Sequence, residues 1–183
     1  MKFIYTLLLF GFAINFSVAQ APQTADEILK AAFANAEAEH KNIFVKFTAS
    51  WCGWCKKMDA SMHDPGTKKF FDENFVTVLL VVDESDANKS LENPGADAIR
   101  VKYNGDKNQG IPFWFILDDK GKLLGDCYIR NKGESASEKG SNSGCPANEE
   151  EVKAFINVLK QTTKLNEAEL KIIYDRFRKN EIK

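Results

Sequence analysis

Two cysteines stand three positions apart in the segment Cys52-Gly53-Trp54-Cys55, and the residues that follow favour a helix. A thiol at a helix N-terminus faces unpaired backbone N–H groups and the positive end of the helix dipole. Both effects lower the thiol pKa, so a nucleophilic thiolate is available near neutral pH. The spacing therefore predicts a redox-active pair, in which Cys52 attacks a disulfide and Cys55, one turn further along, resolves the mixed disulfide.

The residues around the pair suit a site that receives another molecule. Gly53 lets the turn between the cysteines close tightly, and Trp54 provides an exposed aromatic face. Trp51 precedes the pair, and Lys56 and Lys57 add positive charge after it. We predict that Trp51, Gly53 and Trp54 contact the substrate.

The cysteine pair has other possible uses, a structural disulfide and a metal site among them. A zinc site needs about four ligands, but the sequence has no second Cys-x-x-Cys, and His40 and His63 have no metal-ligand spacing to the pair. We therefore predict no metal and no cofactor. A Cu(I)- or protein-binding module without redox turnover stays open. Met58 and Met62 stand nearby at helical spacing, although core packing explains them more simply.

The first residues have the layout of a secretory signal peptide. Met1-Lys2 carries positive charge, residues 3–18 are largely apolar, and small residues occupy Ser17 and Ala19. The alternative is a retained membrane anchor, but the apolar run is shorter than the roughly 20 residues that a span needs. We predict a signal peptide over residues 1–19, a periplasmic or secreted protein, and no stable membrane insertion after cleavage.

Composition predicts one globular domain. The chain has 183 residues, of which 44% are hydrophobic and 28% charged, which excludes a disordered tail and a multi-span membrane protein. Its 25 Lys and Arg residues are balanced by 26 Asp and Glu residues. No basic excess exists to hold phosphate backbones, so the composition argues against a nucleic-acid partner.

The apolar periodicity predicts alternating helices and strands. Thr24 and Glu27 read as a capping box before a helix that ends near residues 40–42. Further helices are predicted over residues 51–62, 67–74, 96–103, 149–162 and 166–179, and strands over 43–47, 76–82, 111–117 and 122–129. This order implies an α/β fold whose mixed sheet has parallel pairs, closes with an antiparallel hairpin and is flanked by helices. We predict that residues 20–183 form a single domain, with a polar loop insertion over 131–148.

The sequence resembles the thioredoxin family at two separate places. The first is the segment from Phe47 to Lys56, which contains the cysteine pair, and the second is Gly110-Ile111-Pro112-Phe113. The likeness covers about residues 26–129 and is strongest to secreted bacterial members that begin directly with a helix. It implies a three-layer thioredoxin-like fold with an extra C-terminal helix. It also implies a thiol–disulfide oxidoreductase that acts on disulfide-containing proteins and draws on an electron donor, with reductase, isomerase and oxidase directions open.

The resemblance assigns a role to Pro112. In the family a cis proline faces the cysteine pair, and Pro112 holds that place with Ile111 before it. Because proline has no N–H, the backbone of Ile111 is left free to pair with an incoming peptide. Sequence alone favours the commoner reading, a trans proline at the start of an edge strand, so the cis isomer rests on the resemblance.

One position departs from the family pattern. Thioredoxins carry a buried acid six positions before the first cysteine, where this chain has Lys46. A buried lysine either loses its proton or extends to solvent. As a neutral amine it can act as a base; as a cation near Cys55 it stabilises thiolates; turned to solvent it does neither.

The remaining cysteines, Cys127 and Cys145, bracket the insertion. We expect a structural disulfide between them, which tethers a loop of roughly 20 residues and contributes about 3 kcal/mol in the chain-entropy model. The alternative is a second redox relay that exchanges with the first pair.

Overall fold

The computed structural model describes residues 21–131, 133–134 and 138–181. The signal peptide predicted for residues 1–19 lies outside these residues and stays a prediction. In the described part of the chain, no helix has the length and apolar character that crossing a membrane requires.

The centre of the fold is a four-stranded sheet with the spatial order β2-β1-β3-β4. Its strands are β1 (Asn42–Thr48), β2 (Phe75–Val81), β3 (Phe113–Leu117) and β4 (Leu123–Asp126). The β1–β2 pair is parallel, whereas β3 runs antiparallel to both β1 and β4. The predicted mixed sheet with an antiparallel hairpin is therefore confirmed.

Helices cover both faces of the sheet. They are α1 (Ala25–Glu39), α2 (Gly53–Met62), α3 (Lys68–Asn74), α4 (Ala96–Lys102), α5 (Glu149–Thr162) and α6 (Glu167–Arg178). Thr24 and Glu27 form the predicted capping box before α1, and left-handed His40 ends that helix. Capping satisfies backbone donors that a helix start leaves unpaired, which explains why this boundary is readable from the sequence.

Aromatic rings join the last two helices to the sheet. The ring of Phe155 on α5 lies 5.2 Å from that of Trp114 on β3 and 4.8 Å from that of Phe177 on α6. On the opposite face, Tyr103 at the end of α4 lies 4.4 Å from Phe115. Each such contact contributes about 0.5–1.5 kcal/mol beyond burial. The C-terminal helix is therefore part of the domain core.

The strand predicted over residues 122–129 is broken. β4 ends at Asp126, and residues Tyr128–Ile129 form β5, which leaves the sheet and pairs with a short β6, Ser141–Asn142. The carboxylate of Asp126 causes the break: it accepts the backbone N–H of Tyr128 at 3.0 Å and binds Arg130 at 2.6 Å. A side chain that bonds the backbone two residues on competes with the strand ladder. The insertion over 131–148, predicted as a loop, thus includes the strand β6 among its described residues.

Candidate redox site

Cys52 and Cys55 form a disulfide at the start of α2, with their Cα atoms 5.3 Å apart. Cys52 is the N-cap residue, and its sulfur accepts the backbone N–H of Cys55 at 3.1 Å. The helix begins where the sequence places it, because the cysteine sulfur satisfies one of the donors that the first turn leaves unpaired. The same N–H is positioned to stabilise a negative charge on Cys52 after reduction.

The loop before the disulfide is anchored to the segment that follows β2. The carboxylate of Glu84 accepts the backbone N–H of Ser50 at 2.5 Å and its hydroxyl at 2.7 Å. The indole N–H of Trp51 donates to the carbonyl of Asp83 at 2.8 Å, and buried Arg100 binds the Asp83 carboxylate at 2.6 Å. These bonds hold Trp51 beside the disulfide while 59% of its surface stays exposed.

The loop before β3 faces the disulfide. The Ile111–Pro112 peptide bond is cis, which confirms the prediction. The carbonyl oxygen of Ile111 lies 3.7 Å from the sulfur of Cys52, and the Ile111 side chain packs against Ala49 and both cysteines. Residues far apart in the sequence therefore meet at one reactive sulfur.

A groove with a volume of about 230 Å³ opens beside this contact. Trp54 lines one side, and Ile111 and Pro112 line another. Trp54 is 41% exposed, and the ammonium of Lys57 lies 4.2 Å above its ring. A side chain at Gly53 would meet nothing within 4 Å, so the surface over the disulfide is open to an approaching chain. Trp51 does not line this groove and sits on the rim near Asp83.

Lys46 is fully buried, so the reading that turned it to solvent is wrong. Its ammonium donates a hydrogen bond to the carboxylate of Asp59 on α2. Burial lowers the pKa of Lys46, and the bond to Asp59 opposes that shift. The neighbouring residue Phe47 has its carbonyl oxygen 3.9 Å from the sulfur of Cys55. Lys46 is therefore one residue along β1 from the backbone contact with Cys55, and its own charge acts on Asp59 and on the thiol of Cys145.

The disulfide predicted between Cys127 and Cys145 is not formed in the structure, where both are free and buried. Cys127 sits at the break between β4 and β5, and Cys145 lines the groove with its sulfur 3.5 Å from the side-chain nitrogen of Asn180. Burial raises the pKa of the Cys127 thiol, and it raises that of Cys145 to about 12. Both are therefore neutral thiols in a setting that disfavours the reactive thiolate.

Three contributors to the site escaped the sequence analysis: Asp59, Glu84 and Asn142. Asp59 has a readable signal, because it stands four positions after Cys55 and so shares its helix face. Glu84 and Asn142 come from distant segments and act on backbone groups, for which the spacing of residue types provides no signal.

A mixed sheet between two layers of helices, with a disulfide at a helix start that faces a cis proline, defines a thioredoxin-like fold. A sequence model described as thioredoxin-like matches residues 24–119, which is more than half of the chain. The protein belongs to the thioredoxin-like family.

Three solved structures are among those similar to this chain. A disulphide isomerase from Xylella fastidiosa Temecula1 has 20% sequence identity and a TM-score of 0.49, over 92% of this chain and 98% of that one. The DsbH oxidoreductase has 18% identity and a TM-score of 0.45, over 88% and 96%. The oxidised C-terminal domain of DsbD from Neisseria meningitidis has 26% identity and a TM-score of 0.41, over 57% and 83%.

Proposed function

We propose that the protein is a thiol–disulfide oxidoreductase of an extracytoplasmic compartment that acts on disulfide bonds in other proteins. One observation carries the proposal: the sulfur of Cys52 caps α2 and also lies 3.7 Å from Ile111, which lines an open groove. A structural disulfide has no need of an adjacent groove. The signal-like residues 1–19 support the compartment, in which disulfides persist.

The forward reaction starts from the reduced dithiol. The backbone N–H of Cys55 and the start of α2 stabilise a thiolate on Cys52. This thiolate attacks one sulfur of a substrate disulfide, forms a mixed disulfide with it, and releases the other substrate sulfur as a thiolate.

The second step regenerates the protein disulfide. Cys55, as a thiolate, attacks the sulfur of Cys52 and expels the remaining substrate sulfur, which takes up a proton. The substrate has then gained two electrons and two protons, and the protein dithiol has lost them. A dithiol donor from another protein returns them in a further exchange.

Substrate contacts follow from what surrounds the disulfide. The backbone of Ile111 next to Pro112 is the docking edge for an extended peptide, Trp54 provides aromatic surface in the groove, and exposed Trp51 provides more outside it. The absence of a side chain at Gly53 lets the peptide come close to the sulfur of Cys52.

Lys46 acts as a positioning charge behind Cys55. As a cation it favours the thiolate that forms when the disulfide is reduced, and so it favours the reduced state. Asp59 partly neutralises it. An ion pair has no net charge and so has a smaller electrostatic field than a lone cation. The charges of Lys46 and Asp59 together therefore tune the reduction potential.

The positions of the two methionines give little support to the Cu(I)-binding alternative. Met58 and Met62, which stood at suitable spacing, are buried in the main hydrophobic core. Neither methionine belongs to the separate cluster that Ala49 forms with the cysteine pair, so a copper ion would depend on the two thiolates and a partner.

The proposal is tested with insulin as substrate and dithiothreitol as reductant. Cys52→Ser should abolish turnover, whereas Cys55→Ser should accumulate a mixed disulfide that dithiothreitol releases. Cys127→Ala, which changes a cysteine away from the groove, should keep turnover and serves as the matched control.

Equilibration in graded thiol buffers gives the direction of the reaction. A potential near roughly −270 mV supports a reductase, and one between about −120 and −180 mV supports an oxidant or isomerase. Undiminished turnover by Cys52→Ser, or no reversible dithiol couple, would refute the proposed function.

A further inference from the structure

The insertion is fastened to the loop that faces the disulfide. The side-chain amide of Asn142, on β6, donates to the backbone carbonyls of Gln109 at 3.1 Å, Gly110 at 3.4 Å and Pro112 at 3.3 Å. These acceptors lie on both sides of Ile111, whose own carbonyl faces Cys52 instead. One amide therefore braces the loop without occupying its docking residue.

Further hydrogen bonds hold the Asn142 side chain itself in place. The backbone N–H of Gly144 donates to the side-chain oxygen of Asn142 at 2.9 Å, and the indole N–H of Trp114 donates to the carbonyl of Gly144 at 2.9 Å. A Cβ atom at Gly144 would lie 3.7 Å from both the Cδ and the carbonyl oxygen of Pro112, so the insertion rests directly on the proline. Both ends of the Asn142 amide are thus engaged.

The groove contains a hydrogen-bond donor that has no partner. The side-chain nitrogen of Gln109 is buried and makes no hydrogen bond, while its side-chain oxygen accepts from the hydroxyl of Tyr128. Gln109 lines the groove together with Asn142 and Trp54. Buried donors are normally paired, and an unpaired one that borders a binding groove calls for an acceptor from the ligand.

We propose that the insertion makes the second wall of the groove and selects extended polypeptide disulfides over small ones. Beside this wall Gln109, on the loop before β3, turns its unpaired amide N–H to a substrate carbonyl, and Asn142 in the wall is a positioning residue that holds the loop of Ile111 and Pro112. The inference rests on the proposed function for its enzymatic test. It goes beyond that function, because Asn142 and Gly144 belong to the insertion, which lies outside the part of the chain that matches the family, residues 24–119.

The chemistry of the wall determines the substrate class. Its polar groups are backbone carbonyls, the side-chain amides of Gln109 and Asn142, and the neutral Cys145 thiol. The charged residue in the lining, Glu151, already accepts the backbone N–H groups of Ala147 and Asn148. Such a surface recognises the backbone of a chain rather than a charged group. A small disulfide reaches the sulfur of Cys52 without extending along the wall, so it gains nothing from Gln109 or Asn142.

Steady-state kinetics on two substrates test the proposal, with insulin as the polypeptide and 5,5′-dithiobis(2-nitrobenzoate) as the small disulfide. Gln109→Met should raise KM for insulin by about 3- to 10-fold, as expected for one lost hydrogen bond to the substrate, and Asn142→Ala, which releases the loop of Ile111 and Pro112, should raise it at least as much. We expect kcat at saturating insulin, and kcat/KM for the small disulfide, to change less than about twofold. Ser141→Ala, at an exposed position next to Asn142, should match the wild type on both substrates.

Binding without turnover separates this proposal from the proposed function. Titration of the oxidised protein with reduced, alkylated insulin B chain, followed by tryptophan fluorescence, reports the groove alone. Weaker binding by both variants supports the wall even if the wild type reduces neither substrate, an outcome that would refute only the oxidoreductase.

If KM for insulin and binding of the B chain are unchanged in the variants, the proposed role of the wall is wrong. An equal loss of kcat/KM on both disulfides would also contradict it. Thermal unfolding shows whether each variant folds. Should Asn142→Ala fail to fold, Gln109→Met decides the matter, because it leaves the brace intact.

Discussion

The ammonium of Lys46, a fully buried residue of β1, donates a hydrogen bond to the carboxylate of Asp59 on α2. Asp59 is 35% exposed, so the pair runs from the interior to the surface. It joins β1 to the redox helix, on which Asp59 follows Cys55 by one turn. An isolated buried ammonium is costly, and Asp59 offsets part of that cost while it reduces the charge that reaches the redox site.

Replacing Lys46 and replacing Asp59 should shift the reduction potential in opposite directions. Lys46→Met removes the cation and leaves the carboxylate, so the thiolate of Cys55 is destabilised and the potential falls. Asp59→Asn leaves an uncompensated cation, so the potential rises. We expect shifts of about 30 mV, which corresponds to about 1.4 kcal/mol for this two-electron couple.

The potentials are measured by equilibration with glutathione buffers and quantified by alkylation and mass spectrometry. Glu73→Gln removes a carboxylate from an exposed position on α3 and should leave the potential unchanged. Shifts of the same sign in Lys46→Met and Asp59→Asn would contradict an electrostatic role for the pair.

The same lysine makes stability depend on pH. Burial lowers the pKa of Lys46 from its ordinary 10.5, so the folded state disfavours the protonated form. Between the lowered value and 10.5 the unfolded chain binds more protons, and the free energy of unfolding therefore rises with pH across that window.

Lys46→Met lacks the buried charge and should be more stable than the wild type at neutral pH, by up to about 1 kcal/mol. Its advantage should shrink as pH rises through the lowered pKa towards 10.5. Urea denaturation at pH 7, 8.5 and 10 tests this expectation. A difference between the two proteins that stays constant over the series would show that Lys46 does not titrate in this window.

Local chemistry explains what the sequence could predict of this fold. The start of α1 follows from the side chains of Thr24 and Glu27, and the start of α2 from Cys52, all within one helical turn. The strand over 122–129 was mispredicted because apolar alternation does not show that the Asp126 carboxylate captures the N–H of Tyr128.

The site shows the same division between near and distant contacts. The cysteine pair is a local motif, and the cis bond before Pro112 was inferred only through the family resemblance. By contrast, the anchor from Glu84 to Ser50 and the brace from Asn142 connect residues 34 and 30 or more positions apart. They depend on how the chain returns to the sheet, which residue spacing alone does not specify.

The two remaining cysteines should resist chemistry in the folded protein. With a pKa of about 12, on the order of one Cys145 thiol in ten thousand is ionised at pH 8, and Cys127 is buried as well. We expect no iodoacetamide adduct on the native oxidised protein. The same treatment in guanidinium, without reductant, should add two carbamidomethyl groups, on Cys127 and Cys145.

Intact mass and peptide mapping measure both results. Absence of adducts in guanidinium would mean that Cys127 and Cys145 are oxidised together after all. Adducts on Cys145 in the native protein would mean that the groove opens and exposes Cys145 beyond the 5% seen in the structure.

Glu84 should be a main support of the active-site loop. It is buried and accepts two hydrogen bonds from Ser50, two positions before Cys52. Each bond to a charged acceptor contributes about 1.5–3 kcal/mol, so Glu84→Ala, which loses two, should lower the free energy of unfolding by about 3 kcal/mol or more. Glu84→Gln keeps one acceptor oxygen and should lose about half as much.

Urea denaturation provides these values, and Glu73→Ala, at an exposed glutamate, should change stability by less than about 0.5 kcal/mol. Equal losses in Glu84→Ala and Glu84→Gln would show that the charge, rather than the number of acceptors, holds the loop.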